Sequence, residues 1–256
     1  MTTATTIDVA SIQPITHAEA ALLAEAAYDR LVAVFEGLAP HDWARPTDCD
    51  GWTVRHLAGH MVGAMRSAAS VRELVRQQRE VARRVKRDGG TVVDVMAALQ
   101  IELAAHLSPA DVVAELRRLV PLATRGRRRT PWLLRKVVRF PVELGTINER
   151  WTLGYLVDVI LTRDAWLHRI DLCRAVGSEP TLSPELDGRI VADLVAEWAG
   201  RHGAPVRLTL TGPAGGTFTS GAAAAGDELQ LDAIEFCRII SGRARGEGLL
   251  TTEVPF

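Results

Sequence analysis

The sequence predicts an α+β protein in two parts: a helical bundle over residues 1–177 and a small α+β domain over residues 178–256. Three observations carry this reading. Apolar residues recur at three- and four-residue spacing through the first part, with N-cap residues and proline or glycine stops between runs. Short strand-like runs separated by Gly-Pro and Gly-Gly turns occur only after residue 177. The stretch Gly177-Ser178-Glu179-Pro180 marks the change.

The elements follow in order. Residues 1–14 are short, Thr-rich and polar, and read as a loose lead-in. From His17 to Leu38 the positions Ala21, Ala24, Tyr28, Leu31, Val32 and Phe35 form an apolar stripe, with Glu19, Glu25, Asp29 and Glu36 off it. A loop over 39–52, punctuated by Pro40, Pro46 and Gly51, leads to Thr53, a natural N-cap. Trp52 before that cap and Leu57 after it suit a hydrophobic staple. This second helix is expected to run to about Arg87, where Asp88-Gly89-Gly90 stops it. A third run covers Thr91 to Leu107, and Ser108-Pro109 restarts a fourth through Val120. The basic segment Arg125 to Arg129 and Phe140-Pro141 interrupt the pattern, and Asn148 or Thr152 opens a last long helix ending at Gly177. No strand is expected in this part. The second part reads as a helix from Ser183 or Pro184 to Trp198, strands at 206–210, 217–220 and 228–231, and a helix over Ile234–Ile240 capped by Asp232.

Composition bounds the function. The chain is 47% hydrophobic and 24% charged with a net charge of −1, an ordinary globular balance without a global pull toward nucleic acid or membranes. No apolar run reaches the ~18–20 residues needed to span a bilayer. The N-terminal residues have neither a basic nor a long apolar region, so no signal peptide is expected. Cys49, Cys173 and Cys237 are odd in number and scattered, as befits reduced thiols in a cytoplasmic protein. The expected partners are small molecules, with no nucleic acid and no membrane. Arg125–Arg129, with Arg135, Lys136 and Arg139, lacks interleaved aromatics or a DNA-binding motif and reads as a solvated loop.

The chemistry-bearing residues fall in two places. His60 stands one turn after His56 in the second helix, and Asp164 and His168 stand four apart in the last. A histidine on one helix and a carboxylate–histidine pair on another is what a metal site between bundle helices requires. Three ligands with one position open is the pattern of a catalytic metal. Zinc is the default, and two histidines with a carboxylate also suit iron. Asp171 is placed to accept from the other nitrogen of His168. His56 and His60 form a rival HxxxH pair that spacing does not remove.

A resemblance adds to this. Trp43-x-Arg45-Pro46-Thr47-Asp48-Cys49-Asp50-Gly51-Trp52-Thr53-Val54-Arg55, followed by His60, resembles the opening of the mycothiol-dependent maleylpyruvate isomerase family. Arg163-Asp164-x-Trp166-x-His168-Arg169-x-Asp171-Leu172 is similar to its second metal motif. Phe236-Cys237-Arg238, Ser241-Gly242-Arg243, Gly248-Leu249-Leu250 and Val254-Pro255-Phe256 resemble its small C-terminal domain. The resemblance implies a DinB-like, up-down four-helix bundle with a small C-terminal α+β domain. It also implies metal ligands at His60, Asp164 and His168, with His56 outside the ligand set. The family's carboxylate ligand is a glutamate, so Asp164 is one methylene short.

The implied cofactors are a divalent metal, zinc by default, and mycothiol as thiol cosubstrate. The implied activity is isomerisation of, or S-transfer to, a small electrophile. Arg238 and Arg243 are candidates for substrate or thiol carboxylates through bidentate pairing. A non-catalytic metal-binding or ligand-binding member of the same fold is the rival reading.

Overall fold

A computed structural model describes residues 6–221 and 226–256. The chain divides into two compact units, residues 16–180 and residues 6–15 with 181–256. The first residues described are not a loose lead-in. Strand β1 (Thr6–Asp8) pairs in parallel with a strand near residue 218 and belongs to the smaller unit. Residues 1–5 lie outside the described residues.

The larger unit is the helical bundle. Helix α1 (His17–Glu36) opens with a capping box in which Thr16 and Glu19 each bind the other's backbone N–H. Helix α2 (Val54–Ala69) is shorter than the sequence predicts. Ser70 takes an extended conformation, ends α2 and caps α3 (Val71–Asp88) through its hydroxyl. A serine inside a helical run carries either role, which the pattern does not distinguish. Helices α4 (Val92–Ala104) and α5 (Pro109–Arg128) follow. The segment expected as a basic loop is therefore largely the last turn of α5.

Helix α6 (Trp132–Val137) leads into a hairpin of β2 (Arg139–Leu144) and β3 (Ile147–Thr152), where no strand was expected. Pro141 sits opposite Arg150 in this two-stranded ribbon, where both strands are edges and a missing N–H is tolerated. Asn148 lies in β3, and Thr152 is the residue that caps the following turn, α7 (Leu153–Tyr155). A π-helical segment, Leu156–Ile160, joins α7 to α8 (Leu161–Val176).

Helices α1, α5, α2 and α8 contact one another in a closed ring, and α3 and α4 pack against α2. Leu31, Leu57, Met61, Met65, Leu116 and Trp166 fill the core. At the α2–α5 crossing a Cβ on Gly126 would overlap the Ala68 carbonyl oxygen, so glycine permits the close approach. Arg127, beside it, is buried. Its guanidinium donates to the Val157 carbonyl at 2.6 Å, to the Leu161 carbonyl, and to the Tyr28 and Thr162 hydroxyls. The π segment thus has a carbonyl paired by a cation from α5, which meets the rule that buried backbone acceptors be satisfied.

The smaller unit holds a mixed four-stranded sheet in the order β1-β5-β4-β6, with β4 (Val206–Thr211), β5 (Gly216–Ser220) and β6 (Asp227–Asp232). Val206, Leu208 and Leu210 alternate inward along β4. A turn at Pro184–Gly188 precedes α9 (Arg189–His202), and α10 (Ala233–Ile240) is capped by Asp232. Trp198 is fully buried, with its ring 5.3 Å from Phe236 and its indole N–H donating to the Leu249 carbonyl. The fold is thus the α+β arrangement that the sequence predicts, a helical bundle with a small sheet-containing domain.

Candidate metal centre

The centre begins with the loop before α2. Pro46 bridges to Thr53, the Thr47 amide donates to the Trp52 carbonyl at 2.8 Å, and Gly51 turns the chain at φ +70°. This folded loop presents Cys49 and Trp52. Thr53 then caps α2, and the reciprocal partner is His56, whose Nδ1 accepts the Thr53 N–H at 3.2 Å. His56 stands where a capping box has Glu or Gln, so the HxxxH pair resolves into one capping residue and one histidine facing the bundle.

That second histidine is His60. Both of its ring nitrogens are buried without a hydrogen-bond partner, and Nε2 lies 3.7 Å from Asp164 Oδ1. One turn along α8, His168 Nε2 lies 3.3 Å from the same Asp164 oxygen. The other nitrogen of His168, Nδ1, is 3.0 Å from Asp171 Oδ2, and Asp171 is fully buried. A neutral imidazole bonded in this way donates from Nδ1 and presents Nε2 as a lone pair. The structure therefore brings His60, Asp164, His168 and Asp171 together.

Trp52 covers them, its ring 5.2 Å from His60 and stacked 5.9 Å from His168, while the two imidazoles meet edge to face at 5.1 Å. Cys49 completes the inner wall. Its thiol donates to Asp171 Oδ2 at 3.4 Å and lies 3.8 Å from His168 Nδ1. Spacing could not signal this contact, because 119 residues separate the partners.

Burial opposes charge here, yet the opposite charges prevail. Burial raises the Asp164 carboxyl, but the facing His168, with His60, holds it well below the ordinary carboxylate range. Burial depresses the His168 imidazole, but Asp164 at one nitrogen and Asp171 at the other carry it well above its usual value.

Among the described residues two groups place ligand-type atoms within 4.8 Å of one another: His60 with Asp164 and His168, and Cys49 with His168 and Asp171. The donor set of the first fits a divalent cation. Its separations of 3.3 and 3.7 Å bracket the roughly 3.4 Å between two tetrahedral ligands at about 2.1 Å from one ion. Two imidazoles and a carboxylate are ligands for zinc or iron. Nε2 of His60 is a buried atom without a hydrogen-bond partner, and a cation would supply one.

Arg238 and Arg243 belong to the smaller unit. Arg238 is buried, donating to Glu235 Oε2 at 2.6 Å and to the Arg243 carbonyl. Arg243 follows α10 in the turn at Gly242.

Residues 24–173, which carry the whole centre, match the family model described as the mycothiol maleylpyruvate isomerase N-terminal domain. The chain belongs to this family. Two solved structures are similar to it: a mycothiol-dependent maleylpyruvate isomerase and a histidine-to-alanine mutant described in the same terms. The first is 16% identical, with 94% of this chain and 95% of that chain covered and a TM-score of 0.54. The mutant is 14% identical, with 90% of each chain covered and a TM-score of 0.53. At these identities the likeness shows the fold. No curated protein matches the chain. Within the mycothiol maleylpyruvate isomerase family, the matched residues include Cys49, His60, Asp164, His168 and Asp171, and end before Arg238 and Arg243.

Proposed function

We propose that the chain is an enzyme that uses a divalent metal, zinc by default, and a low-molecular-weight thiol, mycothiol, to isomerise or S-conjugate a small electrophile. His60, Asp164 and His168 hold the metal. The observation that carries this is His60, whose buried Nε2 has no hydrogen-bond partner and lies 3.7 Å from a carboxylate oxygen already shared with His168. A divalent cation held there lowers the pKa of a thiol and supplies its anion at neutral pH.

The remaining work belongs to the chain. Asp171 holds the Nδ1 proton of His168, which fixes the ring's orientation and directs Nε2 inward. Trp52 shields both imidazoles from water, so electrostatic interactions beneath it act in a lower dielectric. Asp164 has a shorter reach than glutamate, and as a helix neighbour of His168 it offers its oxygen without leaving the α8 backbone. Arg238 and Arg243 are proposed to recognise carboxylates of thiol or substrate. Cys49, Cys173 and Cys237 form no disulfide, which accords with a cytoplasmic site of action, and no helix of the described residues is long and apolar enough to cross a membrane.

The test is metal analysis of protein purified without chelator, with calorimetric titration of mycothiol. Expected are near-stoichiometric metal, its loss in His60→Ala with helicity retained, and thiol binding only in the metal-loaded protein. Tight metal without thiol binding would make the chain a metal-binding protein rather than a thiol enzyme, and absence of metal uptake would refute the site.

A further inference from the structure

The stretch 116–142 contains nine lysines and arginines and no acidic residue, in a chain whose net charge is −1. Four of the nine are engaged. Arg117 and Arg118 pair with carboxylates, Arg127 is buried on carbonyls and hydroxyls, and Arg135 bonds Asp158 at 2.8 Å. The other five, Arg125, Arg128, Arg129, Lys136 and Arg139, are exposed, and none has a carboxylate within ion-pair distance among the described residues. Between them α6 turns large apolar side chains outward: Trp132 is 60% exposed, Leu133 58%, Leu134 45%, Val137 59% and Val138 38%. Lys136 Nζ stands 4.6 Å over the Trp132 ring. A six-residue helix would not hold such a face alone. It is pinned from beneath by Arg135–Asp158–His17, with 2.6 Å between Asp158 and His17, and by the Leu153 amide on the Val138 carbonyl.

We propose that this face docks on an anionic lipid bilayer surface, with Trp132, Leu133 and Val137 entering the headgroup boundary and the five cations meeting lipid phosphates. A Trp- and Leu-bearing helix ringed by Lys and Arg is the composition of an interfacial contact. Self-association is disfavoured, because a second copy would bring five like charges against five. Nucleic acid would use the cations but leave four aliphatic side chains exposed to water. The contact is peripheral, and no helix of the described residues is long and apolar enough to cross the bilayer.

The test is cosedimentation of the full chain with vesicles of phosphatidylglycerol and phosphatidylcholine, compared with phosphatidylcholine alone. Expected is binding only to the anionic vesicles, weakening with salt. Arg128→Gln with Arg129→Gln should lower partitioning about thirtyfold, at about fivefold per cation. Trp132→Ser with Leu133→Ser should lower it at least about tenfold and abolish the accompanying blue shift of tryptophan emission. All four positions are exposed, and circular dichroism checks that the variants fold. The proposal is overturned if anionic vesicles do not bind, if the Trp132/Leu133 variant binds as well as the parent, or if an RNA oligonucleotide binds more tightly than the vesicles and displaces them.

Discussion

Asp171→Asn perturbs the metal centre while leaving all three ligand side chains in place. The carboxylate is fully buried, 3.0 Å from His168 Nδ1 and 3.4 Å from the Cys49 thiol. Asparagine has nearly the same shape, and its carbonyl oxygen can still accept the Nδ1 proton. What it removes is the charge. A hydrogen bond to a charged group contributes about 1.5–3 kcal/mol against about 1 kcal/mol for a neutral one, so roughly 0.5–2 kcal/mol of support for the imidazole is lost. About 1.4 kcal/mol is tenfold in an equilibrium constant. Metal affinity should therefore fall about tenfold in Asp171→Asn, and nearer a hundredfold in Asp171→Ala, where the proton on Nδ1 loses its partner. Competition with a chromogenic chelator at fixed pH measures both, and circular dichroism confirms the fold. An Asp171→Asn protein that holds metal as tightly as the parent would refute the assignment of Asp171 to orienting His168.

Three further expectations follow from the same geometry. His168 titrates well above its usual value, so metal uptake below that raised value must displace a proton. Affinity should rise about tenfold per pH unit there, and a pH-independent affinity between neutral and mildly acidic conditions would contradict this. In the metal-free protein the Asp164–His168 pair should stabilise most between about pH 4 and 6.5, the unfolded-state values of the two groups. Its contribution is lost upward as His168 passes its raised folded pKa and downward as Asp164 passes its depressed one, and calorimetric Tm values against Asp164→Asn isolate it. Arg127→Met should cost about 3 kcal/mol or more in urea unfolding, because the Val157 carbonyl of the π segment and the Leu161 carbonyl both lose this donor. A loss below about 1 kcal/mol would mean that solvent replaces the guanidinium.

Much of the bundle is legible in the sequence because its information is local. Thr16, Thr53 and Ser108 are capping residues beside the helices they start, and the i, i+4 spacing alone puts Asp164 and His168 on one face. What escapes is non-local or two-valued. The three residues of β1 acquire a role only by pairing with Thr217–Thr219, some two hundred residues away. Ser70 ends one helix and starts another with the same side chain. The β2–β3 ribbon has a proline in it and one buried residue at each of Val142, Ile147 and Trp151, too weak an alternation to stand out. The site shows the same division. His60 and His168 are placed by helical periodicity, whereas the thiol of Cys49 reaches His168 only through the folded loop at Pro46–Thr53. His56 is ambiguous in sequence because an imidazole serves as ligand and as cap acceptor alike.

The π segment at Leu156–Ile160 reaches further than its five residues. A π turn accommodates one residue more than the α-helical path, and each residue advances a helix by about 100°. The azimuth of α8, and with it the direction in which Asp164 and His168 point, is therefore indexed from a point before the helix begins. Excising one residue from Leu156–Ile160 would swing either the β2–β3 ribbon or the ligand pair through about a quarter turn. Arg127, on a different helix, donates to the Val157 carbonyl inside that segment. The segment that sets the azimuth of the ligand pair is thus also the one that α5 grips.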